Sequence, residues 1–212
     1  MSKSQGKLEA LKQLKKAYLK QMFPRNGESV PQMRFTGFGE EWERKMLGDV
    51  ARVLNGDRGV NYPSGSDFID SGVPFINAGH IQNGAVVFDN MDYISAKHYN
   101  KLSGAKLQID DILFCLRGSL GKYALYKLNV GAPASSLAVV RCGKKLSTMY
   151  LFQLLSSEIV KQQVLVDNNG SSQPNLSAQS LKNFKIPLPT LPEQTAIGNF
   201  FRTLDALIKL HS

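Results

Sequence analysis

The sequence predicts an α+β fold: a strand-rich globule flanked at its N- and C-terminal ends by amphipathic helices that can form a coiled-coil stem. Three observations carry that prediction. Helical periodicity is confined to the two ends and to one stretch near residue 150. From residue 45 to about residue 140 the apolar runs are short, β-branched or aromatic, and parted by Gly, Asn, Asp and Ser clusters. Strands and helices do not alternate regularly, which disfavours a doubly wound sheet. No segment recurs, so no internal repeat is expected.

The first element is KLEALKQLKKAYLKQMFPRNG. Leu8, Leu11, Tyr18 and Met22 follow a three–four rhythm, with Lys15 a polar member of the seam. Phe23-Pro24 and Asn26-Gly27 stop the helix. Its outer face carries Lys7, Lys12, Lys16 and Lys20, with Glu9 the one acid. Such a run is either a solvated face or a surface laid against phosphates. Residues 25–44 read as a lead-in rich in Gly, Pro and polar residues, anchored on the body by Trp42. KMLGDVARVL, VPFINAGHI, AVVF, AKLQIDDILFCL, KYALYKL and SLAVVRC then read as strands. Ser147 caps a helix, TMYLFQLLSSEIVKQQVLVD, with Leu151, Leu154, Leu155, Ile159 and Val166 on one face. A polar loop, NNGSSQPNLS, a helical turn at AQSLKNF and a last strand, FKIPLP, lead to the final helix. There Thr190 and Glu193 read as a capping box, with Pro192 in the first turn. Ile197, Phe200, Leu204 and Leu207 recur on one face, and no stop signal follows before Ser212.

The expected organisation is a helix over 4–24, a lead-in over 25–44, a globular domain over 45–189 and a helix over 190–212. A helix of about 20 residues is marginal alone, so both apolar stripes need cover. The two helices can pair antiparallel, or pack on their own globule. They can also read as one interrupted helix that a second copy continues, in a head-to-head pair with a shared stem.

Composition narrows the function. The 212 residues are 42% hydrophobic and 20% charged, ordinary for a globular protein. The net charge of +9 is not ordinary and favours a polyanionic partner, nucleic acid or an anionic membrane surface. Cys115 and Cys142 sit in apolar runs and read as buried, reduced thiols of a cytoplasmic protein. Neither a membrane span of about 18 apolar residues nor a signal-peptide core is visible. No phosphate-binding loop or dinucleotide fingerprint occurs. His80, His98 and His211 are scattered, and two cysteines do not make a zinc site. Glu43-Arg44-Lys45 lacks the upstream Pro-Asp of a nuclease. These absences favour a binding protein over an enzyme, with no metal of its own.

Four loops offer binding chemistry. Arg117-Gly118-Ser119-Leu120-Gly121-Lys122 lies between two strands. Arg117 and Lys122 there bracket the Ser119 hydroxyl, a set suited to phosphate or, for Arg117, to guanine. The same pattern also makes an ordinary hairpin turn. NNGSSQPNLS presents Ser172, Gln173 and Asn175, side chains that can pair with adenine, or it is a solvated loop capping the next helix through Asn175 or Ser177. LNGDRGVNYPSGSDF offers Arg58, Asn61 and Tyr62, and FINAGHIQNG offers Asn77, His80 and Gln82. For His80 a hydrogen-bonded structural role is the stronger reading.

Five stretches resemble the specificity subunits of type I restriction–modification systems. MLGDVARVLNG opens the globule, and VPFINAGHI and DDILFCLRGSLGK follow in the expected order. SSQPNLSAQSLKNFKIPLPTLPEQTAIGNFFRTLDALI resembles the passage from recognition domain to helix, and LEALKQLKKAYLKQMFP the end of such a helix. The resemblance implies a sequence-specific DNA-binding subunit with a target recognition domain over 45–189 and no catalysis of its own. Partner subunits would methylate adenine or, with a motor, restrict. S-adenosylmethionine is then expected on the methyltransferase subunit, and ATP and magnesium on the restriction subunit. Family members carry two recognition domains joined by paired helices; this chain has one. It therefore resembles a half-length form, expected to act as a homodimer on a bipartite inverted repeat. The other reading is an assembly or regulatory remnant that binds the methyltransferase subunit without reading DNA.

Overall fold

The computed structural model describes residues 3–167 and 175–212. In chain order it begins with α1 (Lys3–Gln21), β1 (Glu43–Met46), the single turn α2 (Leu47–Val50) and β2 (Ala51–Asn55). Short strands follow: β3 (Phe68–Ile69), β4 (Val73–Ile76), β5 (Ile81–Gln82), β6 (Gly84–Val86) and β7 (Asp92–Ile94). Then come α3 (Ala96–Lys101), β8 (Ile112–Cys115), β9 (Tyr123–Leu125), β10 (Ala132–Pro133) and β11 (Leu137–Cys142). The remainder is α4 (Thr148–Leu154), α5 (Glu158–Asp167), α6 (Ala178–Lys182), β12 (Lys185–Leu188) and α7 (Leu191–Leu210).

These elements form two compact units, and the chain passes between them after Val50, Cys142, Gln163 and Asn183. The stretch 45–189 is thus divided: residues 45–50, 143–163 and 184–189 group with the terminal helices. The chain's charge is divided unequally too. The first unit has 16 Lys and Arg against nine Asp and Glu, net +7, whereas the second has ten against eight, net +2.

In the first unit α7 packs on both α4 and α1. Tyr18 meets Phe200 edge-on at 5.0 Å, while Lys15, three residues earlier, pairs with Asp205, five residues later. The two helices therefore run antiparallel, one of the arrangements their periodicity allowed. Along α1, Leu8, Leu11 and Tyr18 are half-buried and Met22 is buried. On α7 Ile197 and Leu204 are buried, Phe200 is half-buried and Leu207 is 39% exposed. Phe201, outside the expected stripe, is fully buried and stacks at 5.9 Å on Phe23. Having two helical neighbours widens the buried face from the 197/200/204/207 row to include Gly198 and Phe201. Gly198 lets the backbones approach: a Cβ there would lie 3.0 Å from the Tyr150 amide nitrogen. Trp42 is buried against Tyr150, whose hydroxyl donates to the Pro187 carbonyl at 2.7 Å. β1 and β12 form an antiparallel ribbon from Glu43↔Leu188 to Met46↔Lys185.

The expected capping box at α7 is not formed. Among the described residues the Thr190 side chain makes no cap bond. Glu193 turns away to accept two hydrogen bonds from Arg34, both 2.8 Å, and one from the Trp42 indole at 3.1 Å. A two-pronged guanidinium bond outcompetes a lone backbone amide. Those bonds to Glu193 are also the main reason the Arg34 pKa is raised. Gln194 is equally buried; it accepts from the Ser147 amide and donates to the Lys145 and Pro189 carbonyls.

The second unit contains a six-stranded sheet, ordered β2-β11-β8-β9-β6-β5, and a four-stranded sheet, ordered β10-β4-β7-β3. Pairing is antiparallel except for β6 with β9 and β10 with β4. β8 is buried at every position, as is β11 from Leu137 to Val140, which is why both read as continuous apolar runs. Ile76, Ile81, Leu107, Leu113, Cys115, Tyr126 and Val139 build the core. Cys115 is buried and Cys142 half-buried. Arg141 clamps Asp111 with two bonds of 2.7 and 2.8 Å and also reaches the Lys106 carbonyl.

Candidate functional site

β8 delivers the first functional side chain. Cys115 and Leu116 are fully buried, and the chain turns outward at Arg117. Gly118 and Gly121 take φ of 74° and 78°, the left-handed region open to glycine at little cost. The Gly121 amide returns to the Cys115 carbonyl at 3.1 Å, and the Lys122 amide to the Ser119 carbonyl at 3.0 Å. The turn thereby holds Arg117 and Lys122 exposed and Ser119 half-buried.

The segment after the polar loop joins this strand end. Arg117 and Asn175 form an antiparallel bridge, and the Leu176 amide donates to the Leu116 carbonyl at 2.9 Å. Arg117 Nε donates to Asn175 Oδ1 at 3.1 Å. Of the two capping candidates in NNGSSQPNLS, Ser177 is the one that caps. Ser177 caps α6 through the Ser180 amide, at 2.9 Å, while Asn175 stands beside Arg117.

Arg58 comes from the loop after β2. Its neighbour Asp57 is 1% exposed and accepts from the amides of Gly104, at 2.6 Å, and Gly59, at 2.9 Å, and from the Ser103 hydroxyl at 3.3 Å. Burial opposes ionisation of Asp57, but the amides of Gly104 and Gly59 outweigh it and hold the carboxyl below its ordinary range. Gly104 permits this contact, since a Cβ there would lie 2.4 Å from the Asp57 amide nitrogen. Anchored this way, Arg58 extends Nη2 to the Ser135 carbonyl at 3.2 Å.

Arg58, Arg117 and Asn175 converge on one recess of about 420 Å³, together with Asn55, Gln179 and Asp167. Two arginines and three amide side chains line this recess beside the one carboxylate of Asp167, and such a set suits phosphate oxygens and base edges. Asn55, Asp57 and Gln179 were not singled out from sequence. The Asp-x-Gly spacing that makes Asp57 a turn anchor was readable; the position of Gln179 depends on a long-range bridge.

The other candidates lie elsewhere. The Asn61 side chain donates to the Lys101 carbonyl at 3.1 Å, and its own carbonyl faces His98 Nε2 at 2.8 Å. Tyr62 packs edge-on against Phe75 at 5.5 Å. Both brace the 57–67 loop and neither lines the recess. Asn77 and His80 lie in the turn between β4 and β5, outside the recess. Asn77 accepts from the Gly79 amide and donates to Asp92, while its amide donates to His80 Nδ1. His80 is 7% exposed, with Nε2 3.3 Å from the Asn90 carbonyl. Their polar atoms are used to hold the turn between β4 and β5. Ser172 and Gln173 lie outside the described residues. Burial pushes the Cys115 thiol up to about 12, too high for a nucleophile at neutral pH. Among the described residues no group of three His, Cys, Asp or Glu side chains can hold a metal, and no helix is long and apolar enough to cross a membrane.

Residues 39–212 match the family described as the type I restriction modification DNA specificity domain. The type I restriction enzyme MjaVIII specificity subunit of Methanocaldococcus jannaschii is 26% identical over 216 residues, 96% of this chain and 49% of that one. The type I restriction enzyme EcoBI specificity subunit of Escherichia coli is 25% identical over 164 residues, 74% of this chain and 34% of that one. The chain thus spans about half the length, or less, of these curated relatives. The fold is shared with the HsdS subunit from Thermoanaerobacter tengcongensis, at a TM-score of 0.70 and 19% identity, over 98% of this chain and 46% of that one. It is shared too with the type I system S subunit from M. genitalium, at 0.65 and 15%, over 98% and 50%.

Proposed function

The chain belongs to the type I restriction modification DNA specificity domain family, and from that premise we propose that it is a non-catalytic cytoplasmic subunit that reads one half of a DNA target. The convergence of Arg58, Arg117 and Asn175 on one recess carries the reading. Two loops far apart in sequence are joined there by the Arg117–Asn175 bond. A bonded partner pre-orients the guanidinium, so less freedom is lost when it meets guanine or phosphate. Asn175 and Gln179 add the amide geometry suited to adenine. Lys122 and Ser119, on the adjoining turn, suit phosphate contact.

Methylation of adenine and restriction would belong to partner subunits: a methyltransferase with S-adenosylmethionine, and a motor subunit with ATP and magnesium. One recognition unit reads one half-site. A second copy of the chain would supply the other half, and a two-fold pair predicts a split inverted repeat. Joining two weak readers raises avidity without new base contacts.

Co-expression with the host methyltransferase subunit, followed by mapping of methylated adenines, tests the whole reading. A symmetric split motif is the expected result. An asymmetric motif would assign the second half to another specificity chain. Absence of methylation from a soluble, assembled complex would favour a regulatory chain that occupies the methyltransferase without reading DNA.

A further inference from the structure

The recess lies in the unit of net charge +2, whereas the unit holding the terminal helices carries +7. A recognition function housed in the second unit leaves that excess unexplained. Part of it is concentrated on α1. Lys12, Lys16 and Lys20 are four residues apart and so form one ridge, with steps of about 6 Å along the axis. Lys15 differs: it is turned into the seam and paired with Asp205. Lys12 has Glu9 at 3.1 Å. Among the described residues these are the ion pairs of α1, and exposed Lys16 and Lys20 are in neither. Like charges four apart weaken a helix, so the ridge costs stability in the free chain.

We propose that the Lys12–Lys16–Lys20 ridge of α1 is a second contact with double-stranded DNA, one that seats on the phosphate backbone and reads no sequence. The inference rests on the reading of the chain as a DNA-recognition subunit. Three features select a polyanion over a protein. The cations repeat along a line, as phosphates do. They are lysines, compact hydrated charges that suit phosphates without the bidentate geometry of arginine. Their companions on that flank are polar, Gln5, Glu9 and Gln13, whereas protein interfaces have apolar centres and are depleted in lysine.

The test measures affinity of the full chain for a duplex bearing its mapped target, and for an unrelated duplex, as salt is raised. Each phosphate contact contributes about 0.9 to the slope of log K against log salt. Lys16→Gln with Lys20→Gln should lower that slope by about 1.8, and Lys16→Gln alone by about 0.9. The ratio of target to unrelated affinity should not change. Lys16→Arg with Lys20→Arg should keep the wild-type slope, since charge and not shape makes the contact. Circular dichroism should show helix content at least equal to wild type in the glutamine variants, because a repulsion is relieved. An unchanged slope in a folded K16Q/K20Q variant, while Arg117→Ala still weakens binding, would overturn the ridge and leave the recess standing. An unchanged slope with weakened capture of the methyltransferase subunit would make the ridge a protein-docking surface instead. Absence of any salt-dependent DNA affinity in the wild type would remove the DNA reading and the ridge with it.

Discussion

At the scale of single residues, what matters is whether a polar atom is spent inside the fold or held outside it. Asn77 is a residue type suited to bases, while for His80 the sequence favours a hydrogen-bonded structural role. The structure spends their polar atoms on a turn. Arg117 and Lys122 are presented instead by a turn whose glycines sit at positive φ. Arg117→Ala or Lys122→Ala is therefore expected to weaken DNA binding. Loss of a phosphate contact should shrink the salt slope by about one unit, equally on all sequences, whereas loss of a base contact by Arg117 should cost about 1–3 kcal/mol on the target alone. Titrations on target and unrelated duplexes separate the two. Asp57 belongs to the opposite class, being wholly internal. Its folded-state pKa is depressed, chiefly by the amides of Gly104 and Gly59 acting against burial. Its contribution is therefore present above the ordinary carboxylate pKa and lost as pH falls through the lower folded value. Asp57→Ala should destabilise the second unit by about 1–3 kcal/mol near neutral pH, and by less in acid, as denaturant melts at pH 7 and pH 3 would show. Arg58 is legible as a loop cation and the Asp57–Gly59 turn as a local anchor, but the Ser103 hydroxyl and Gly104 amide that complete the Asp57 site lie 46 and 47 residues away.

At the scale of elements, periodicity marked the terminal helices well and their ends poorly. The Leu-Pro-Glu-Gln stretch reads as a helix start through Thr190 and Glu193. The helix does start at Leu191, yet Glu193 serves long-range contacts with Arg34 and Trp42. A local rule saw the element but could not see a residue 159 positions away. The widened face of α7 has the same cause: Gly198 lies against Met149 and Tyr150 of α4, and Phe201 is buried against Phe23, 178 positions earlier in the chain. Short strands fared similarly. β8 and β11 were plain in the apolar runs, but the order β2-β11-β8-β9-β6-β5 depends on crossovers that no local pattern encodes. Glu193→Gln would leave Arg34, which is 12% exposed, beside a neutral amide. Breaking a buried pair from one side costs about 3–5 kcal/mol. A fall of that size in unfolding free energy is the expected outcome, with Arg34→Met plus Glu193→Met losing less than the single change. Equal losses would show that the two side chains do not act as a pair.

At the scale of the whole molecule, the proposed pairing of two copies on a split site needs a surface through which they would meet. The α1–α7 seam is already made within one chain through Tyr18, Phe200 and the Lys15–Asp205 pair, so a second copy need not supply it. What remains uncovered is apolar surface farther along the same helices. Leu207 is 39% exposed and Leu210 77% exposed on α7, while Leu8 and Leu11 on α1 are half-buried. In the antiparallel register Lys15 lies level with Asp205, so Leu8 and Leu11 lie toward the end of α1 that faces Leu207 and Leu210. On the proposed pairing, these four leucines are the surface that a second copy of the chain would cover in a symmetric, isologous contact. Light scattering of the purified chain should then give twice the monomer mass, falling to one on Leu207→Asp with Leu210→Asp. Because both side chains are exposed in the single chain, the melting temperature at low concentration should barely move. Methylation of the split motif should nevertheless be lost, since each half-site alone binds too weakly once linkage is gone. A double variant that stays dimeric would place the contact elsewhere. One that becomes monomeric yet keeps the split motif would show that the methyltransferase subunits alone hold the two readers in register.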